Sequence, residues 1–128
     1  GNVFISVKNN DKECVTLICK KLIKFGYKIY CTKGTGEFLK RKGIQVSIVN
    51  KVREGRPHIV DMIKNNTIDM IFNTTEGSKS IADSFSLREA ALLSNVPYYT
   101  TISGCKSVLL ALENMNEDKL NIKSLQSY

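Results

Sequence analysis

Short apolar, β-rich runs alternate with stretches whose apolar residues recur at helical spacing, and they do so five times along the chain. Strand patterns fall at 3–7, 27–31, 44–49, 68–72 and 96–100. Helix patterns follow at 11–25, at 37–42, from Pro57 to the Asn65-Asn66 pair, at 84–94 and at 103–113. The runs carry little polarity, as strands covered on both faces do. In the first helix Cys14, Ile18, Leu22 and Phe25 form the stripe, with Val15 and Cys19 widening it. In the fourth the apolar positions are Phe85, Leu87, Ala91 and Leu92. Gly26 and Gly43 stand where helices close. Strand–helix repetition of this kind gives a three-layer α/β sandwich: a five-stranded parallel, Rossmann-like sheet with helices on both faces. Residues 114–128 are polar and are expected to pack loosely.

A chain of 128 residues that is 42% hydrophobic fits one globular domain with one core. No apolar run approaches the roughly 20 residues of a bilayer span, and no signal peptide precedes the first strand. Opening on Gly1 suggests a domain, 1–128, cut from a longer chain. Cysteines stand at 14, 19, 31 and 105 with no C-x-x-C pair, and His58 has no Cys near it. A metal site is therefore not expected. Cys14, Cys19 and Cys31 read as reduced core thiols, which suits a cytoplasmic, monomeric protein without disulfides. The net charge of +7 is spread over scattered lysines. Small anions suit such a surface better than nucleic acid or a membrane, since no dense basic run or basic–aromatic alternation is present.

Ligands of parallel sheets sit beyond the carboxyl ends of the strands, and polar residues gather at those places here. Thr32, Gly34 and Thr35 follow the second strand within Cys31-Thr32-Lys33-Gly34-Thr35-Gly36. Lys51 follows the third, Asn73, Thr74 and Thr75 the fourth, and Thr100 and Thr101 the fifth, while Lys12 opens the first helix. Strand, Gly/Thr turn, then helix is a geometry that exposes N–H groups at a helix's positive end, with hydroxyl donors beside them. A plain capped turn, with Thr35 as N-cap, is the simpler reading of that segment alone. The same chemistry at four strand ends describes a pocket for a phosphorylated small molecule. Neither G-x-G-x-x-G nor G-x-x-x-x-G-K-[ST] is present. His58 reads as structural or exposed, without a carboxylate partner, and Asp61 and Asp69 as solvated positions. Glu76 and Asp83 lie near the fourth strand. With no nucleophile–base pair and no carboxylate pair, the pocket is expected to bind rather than react, and no catalytic residue is assigned.

These segments resemble a known family. Ser6-Val7, Thr32-Lys33-Gly34-Thr35, Val49-Asn50-Lys51-Val52, Glu54-Gly55-Arg56-Pro57 and Ile71-Phe72-Asn73-Thr74-Thr75 look like the C-terminal allosteric domain of the carbamoyl-phosphate synthase large chain, a methylglyoxal-synthase-like domain. The likeness runs from Val3 to Leu112. It implies the methylglyoxal-synthase-like fold and a regulatory domain that binds UMP or IMP and needs no other cofactor. The implied parent is an ATP-dependent, glutamine-hydrolysing ligase whose product feeds arginine and pyrimidine synthesis. The implied partners are the synthetase domains of the same chain and a glutaminase small subunit. By motif match, Lys12, Thr32, Thr35, Lys51, Asn73, Thr74 and Thr75 are similar to the nucleotide-binding set. Thr32, Thr35 and Lys51 would hold phosphate, with Asn73 and Thr75 completing the cradle. Gly34, and Ser6 and Asp83 on the ribose and base side, are further candidates. Ser78 stands where many bacterial members carry Arg. Arg56 stands where methylglyoxal synthases, the enzymatic relatives, place an Asp, which argues against a free-standing phosphate-processing lyase of that type. The Lys-Thr-Leu-His-Pro segment of the related purine-pathway domain is absent.

Overall fold

The structure, a computed structural model, describes residues 1–50, 58–74 and 77–126, with the side chains of Asn9, 77–84 and 116–126 outside that description. The elements are β1 (Asn2–Ser6), α1 (Lys12–Lys24), β2 (Lys28–Cys31), α2 (Lys33–Arg41), β3 (Ser47–Ile48), α3 (Ile59–Lys64), β4 (Met70–Asn73), α4 (Gly77–Leu93), β5 (Tyr98–Tyr99) and α5 (Ile102–Gln126). A 3-10 turn over Asn9–Asp11 leads into α1. All strand pairs are parallel, in the order β3-β2-β1-β4-β5. Successive residues of β1 face opposite layers, as strand geometry requires. Val3 and Ile5 join Val15, Ile18, Cys19 and Leu22 of α1, Leu39 of α2 and Leu109 of α5 in one cluster. Phe4 joins Ile59 and Ile63 of α3 and Leu87, Ala90 and Ala91 of α4 in the other. The five-stranded parallel sandwich read from the alternating pattern is the observed architecture.

Helices α1 to α4 close in one way. The N–H of Tyr27 donates to the Leu22 carbonyl and that of Gly26 to Ile23, and Ile44 and Gly43 repeat this onto Leu39 and Lys40. Thr67 and Asn66 end α3 on Met62 and Ile63, and Val96 and Asn95 end α4 on Ala91 and Leu92. In each case one residue turns left-handed: Gly26 at φ 91°, Gly43 at 79°, Asn66 at 59° and Asn95 at 57°. This double bond satisfies carbonyls that the helix end would otherwise leave open.

Several expectations are corrected. Cys14 is exposed, and the buried stripe of α1 is Val15, Thr16, Ile18, Cys19 and Leu22, so the apolar face is turned away from Cys14. Phe85 and Leu92 are exposed, because Leu87, Ala90 and Ala91 define the inner face of α4. The fifth helix, expected to end at Glu113, continues as α5 to Gln126. His58 is buried and has a carboxylate neighbour: its N–H donates to Asp61 Oδ2 at 3.3 Å, and its Nδ1 lies 3.7 Å from the same oxygen. Asp61 is thus engaged at the start of α3 rather than simply solvated. Asp69, although exposed, accepts from the Asn2 N–H at 2.6 Å.

Candidate functional site

Chain direction across the sheet reverses between β1 and β4, since β1 leads outward to β2 and β3 and the chain then returns to β4 on the other side. A crevice opens at the carboxyl ends of strands at such a reversal. Ser6 is in register with Asn73 there, and Thr32 follows β2 on the opposite flank of β1. The Ser6 and Thr32 hydroxyls lie 3.2 Å apart and hydrogen-bond.

The Gly/Thr segment is the first turn of α2 and not a turn ahead of it. Thr32 is the N-cap, with extended backbone at φ −70° and ψ 163°, and Lys33 is already helical. The expected N-cap, Thr35, lies inside the helix. The Gly36 N–H donates to the Thr32 carbonyl at 2.8 Å, as the first helical bond. The N–H groups of Lys33, Gly34 and Thr35 therefore belong to the first turn, where a helix supplies no acceptor and its dipole is positive. Gly36 serves packing: a Cβ there would stand 2.8 Å from Ile48 Cγ1. Gly34 differs, because among the described residues a Cβ there would meet only the Lys12 ammonium, at 3.9 Å. Lys12 reaches this point because the 3-10 turn starts α1 just beyond β1.

Thr35 and Thr74 are buried, and each is pinned by a backbone donor. The Val7 N–H donates to Thr35 Oγ1 at 3.2 Å, and the Lys8 N–H donates to Thr74 Oγ1 at 2.9 Å. A hydroxyl that accepts in this way keeps its own proton to donate. The Thr74 N–H in turn donates to the Ser6 carbonyl at 3.0 Å, which ties the ends of β1 and β4 together. Asn73 is buried, and its Nδ2 donates to Tyr98 Oη at 2.5 Å. Thr101 caps α5 by accepting the Gly104 N–H at 3.0 Å.

The structure thus brings Ser6, Lys12, Thr32, Gly34, Thr35, Asn73 and Thr74 to one sheet edge. Lys51, Thr75, Arg56, Glu76 and the side chain of Asp83 lie outside the described residues. Tyr98 is a neighbour that sequence reading missed; its position on a strand gave no sign that its hydroxyl would meet Asn73. The assembled edge offers hydroxyl and backbone N–H donors and an ammonium, a set suited to an anion. Among the described residues no group of three or more His, Cys, Asp or Glu side chains could hold a metal ion. No helix among them is long and apolar enough to cross a membrane.

The chain is similar over its whole length to carbamoyl phosphate synthase large chains. It is 44% identical over 128 residues to that of Rhizobium meliloti (strain 1021), covering all of this chain and 11% of the relative. It is 44% identical to that of Myxococcus xanthus (strain DK1622), covering all of this chain and 12% of the relative. The chain therefore spans about a tenth of these relatives' length. Among solved structures, the methylglyoxal synthase of Elizabethkingia anophelis NUHP1 superposes with a TM-score of 0.67 at 15% identity, over 84% of this chain and 76% of that one. That likeness concerns the fold. The family model of the MGS-like domain matches residues 15–100, and the chain belongs to the MGS-like domain family.

Proposed function

We propose that this chain is the regulatory domain of a cytoplasmic, glutamine-dependent carbamoyl-phosphate synthase large chain, and that it binds a nucleoside monophosphate, UMP or IMP. The reading rests on the 44% identity to carbamoyl phosphate synthase large chains across all 128 residues and on one observation. The first turn of α2, the pinned Thr35 and Thr74 hydroxyls and Lys12 all meet at the β1/β4 crevice. A phosphate with a charge of about −1.5 to −2 and several acceptor oxygens matches that set. Thr32, Thr35 and Lys51 are assigned to the phosphate, with Lys12 adding charge. Asn73, Thr74 and Thr75 line the crevice, and Ser6 and Asp83 are assigned to the ribose and base side. The Tyr98 bond orients the Asn73 amide, which completes the cradle.

In this reading nucleotide binding orders the strand-end loops and biases the synthetase domains of the same large chain, a coupling between two sites. The ligase reaction, with ATP and the glutaminase small subunit, belongs to the parent enzyme in arginine and pyrimidine synthesis; this domain is not itself an enzyme. Calorimetric titration with UMP and with IMP tests the binding. Saturable binding of either, lost in the corresponding nucleoside, is expected; no binding of both contradicts the reading. The purified chain given dihydroxyacetone phosphate is expected to form no methylglyoxal, because Arg56 cannot act as a carboxylate base. Turnover would favour the lyase alternative instead.

A further inference from the structure

Tyr98 is half-buried on β5 and packs against the cluster of Phe4, Ile59, Ile63 and Ile71. Ile71 and Tyr98 are in register on neighbouring strands. By strand alternation Ser6 shares the face of Phe4, and Asn73 that of Ile71, so all lie on one side of the sheet. The Tyr98 side chain reaches from β5 to the Asn73 amide, and Oη accepts from Nδ2 at 2.5 Å. The Arg88 guanidinium of α4 stands 5.9 Å from the ring centroid, close enough for a cation–π contact that steadies the ring. A tyrosine hydroxyl can donate its own proton while it accepts. Here Oη is the acceptor for Asn73, so that proton is not spent on the amide, and among the described residues nothing takes it.

Sheet order decides which part of a ligand can take it. The strands run β3-β2-β1-β4-β5, and neighbours lie about 4.8 Å apart. Helix α2, whose first turn is assigned to the phosphate, follows β2. Asn73 ends β4, on the far side of β1 and roughly 10 Å from the end of β2. Tyr98 approaches Asn73 from β5, the side away from α2. A phosphate seated on α2 therefore turns its nucleoside part toward Tyr98. Ser6, assigned to the ribose side, is in register with Asn73, which brings the ribose next to the tyrosine hydroxyl. We propose that Tyr98 is a ligand-binding residue that donates its hydroxyl proton to a ribose hydroxyl oxygen of the bound nucleotide. This inference rests on the nucleoside-monophosphate reading above and extends it. The ribose is the part that UMP and IMP share, so one tyrosine serves both bases and favours ribonucleotides over ligands that lack the sugar hydroxyls.

Calorimetric titration of the parent chain and of Tyr98→Phe with UMP and with 2′,3′-dideoxyuridine monophosphate tests this. The parent should bind UMP more tightly than the dideoxy ligand. Tyr98→Phe should shrink that preference by about three- to tenfold, the share of one neutral hydrogen bond. Loss of the Asn73 partner acts on both ligands alike, because both carry the phosphate, and it cancels in this comparison. Tyr99→Phe should keep the parent's preference, since the Tyr99 ring packs edge-on against Phe72 in the other layer. Circular dichroism should show both variants folded. A parent that binds the two ligands alike, or a preference that survives Tyr98→Phe undiminished, overturns this inference and leaves nucleotide binding standing. A parent that binds neither UMP nor IMP overturns the reading beneath it, and this inference with it.

Discussion

Gly34 and Thr35 are adjacent in the first turn of α2, and substitution separates their roles. Thr35 Oγ1 accepts the buried Val7 N–H. Thr35→Val strands that donor, so the variant should lose about 1–3 kcal/mol of stability in urea melts. It should also bind UMP or IMP about tenfold or more weakly through loss of the hydroxyl proton. Gly34→Ala should behave differently. Among the described residues its methyl would meet only Lys12 Nζ at 3.9 Å, and alanine gains up to about 1 kcal/mol over glycine in a helix. Stability should hold or rise while nucleotide affinity falls, because the methyl enters the space in front of the first-turn N–H groups. Equal affinity in Gly34→Ala and the parent would move the site elsewhere. Lys12→Ala should weaken binding most at low salt, where screening is least, whereas Lys20→Ala, exposed farther along α1, should not.

The elements show what could be read from the sequence and what could not. The order of strands and helices was legible because each buries a period-2 or period-3.6 apolar set on its own face. The start of α2 was not, because Gly34 and Gly36 are poor helix formers and read as a turn. Their helical state goes with the bond from the Gly36 N–H to the Thr32 carbonyl and with the close seat of Gly36 against Ile48. That early start ends β2 at Cys31, so the third strand pairs only through Tyr30 with Ser47 and Cys31 with Ile48. Ile44 and Val46 were correctly read as apolar and are buried in the core, but they precede the paired strand. The candidate site was legible as hydroxyls and lysines at strand ends. Its hydrogen bonds were not, since the Asn73–Tyr98 bond and the Thr74–Lys8 bond join residues 25 and 66 positions apart. At this scale Gly36→Ala should cost about 1–3 kcal/mol by overpacking against Ile48. Gly36→Ala combined with Ile48→Ala should cost less than the two single changes added together, as thermal melts of all three variants would show.

Across the whole molecule the cysteines report folding. Burial pushes the Cys19 and Cys105 thiols from about 9 to about 12, with nearby Asp11 adding to the rise at Cys105 against its own backbone hydrogen bond. Burial chiefly, then Cys19, raises Cys31, with Lys40 opposing. The folded state therefore holds these protons after the unfolded state has lost them. Their contribution is fully present below the unfolded thiol value of about 9 and is lost as pH rises from there toward 12. Urea melts should show stability falling through that alkaline range, and Cys19→Ala should flatten the fall. At neutral pH a thiol reagent should label the exposed Cys14 and spare the other three until the chain unfolds. The central claim is that the β1/β4 crevice holds a nucleotide by its phosphate, and its most direct measurement is a calorimetric comparison of UMP and IMP with uridine and inosine on this chain. Saturable binding of a monophosphate, with its nucleoside at least about a hundredfold weaker, is the predicted result. Nucleosides that bind as tightly as their monophosphates, or no binding of either monophosphate, would contradict it.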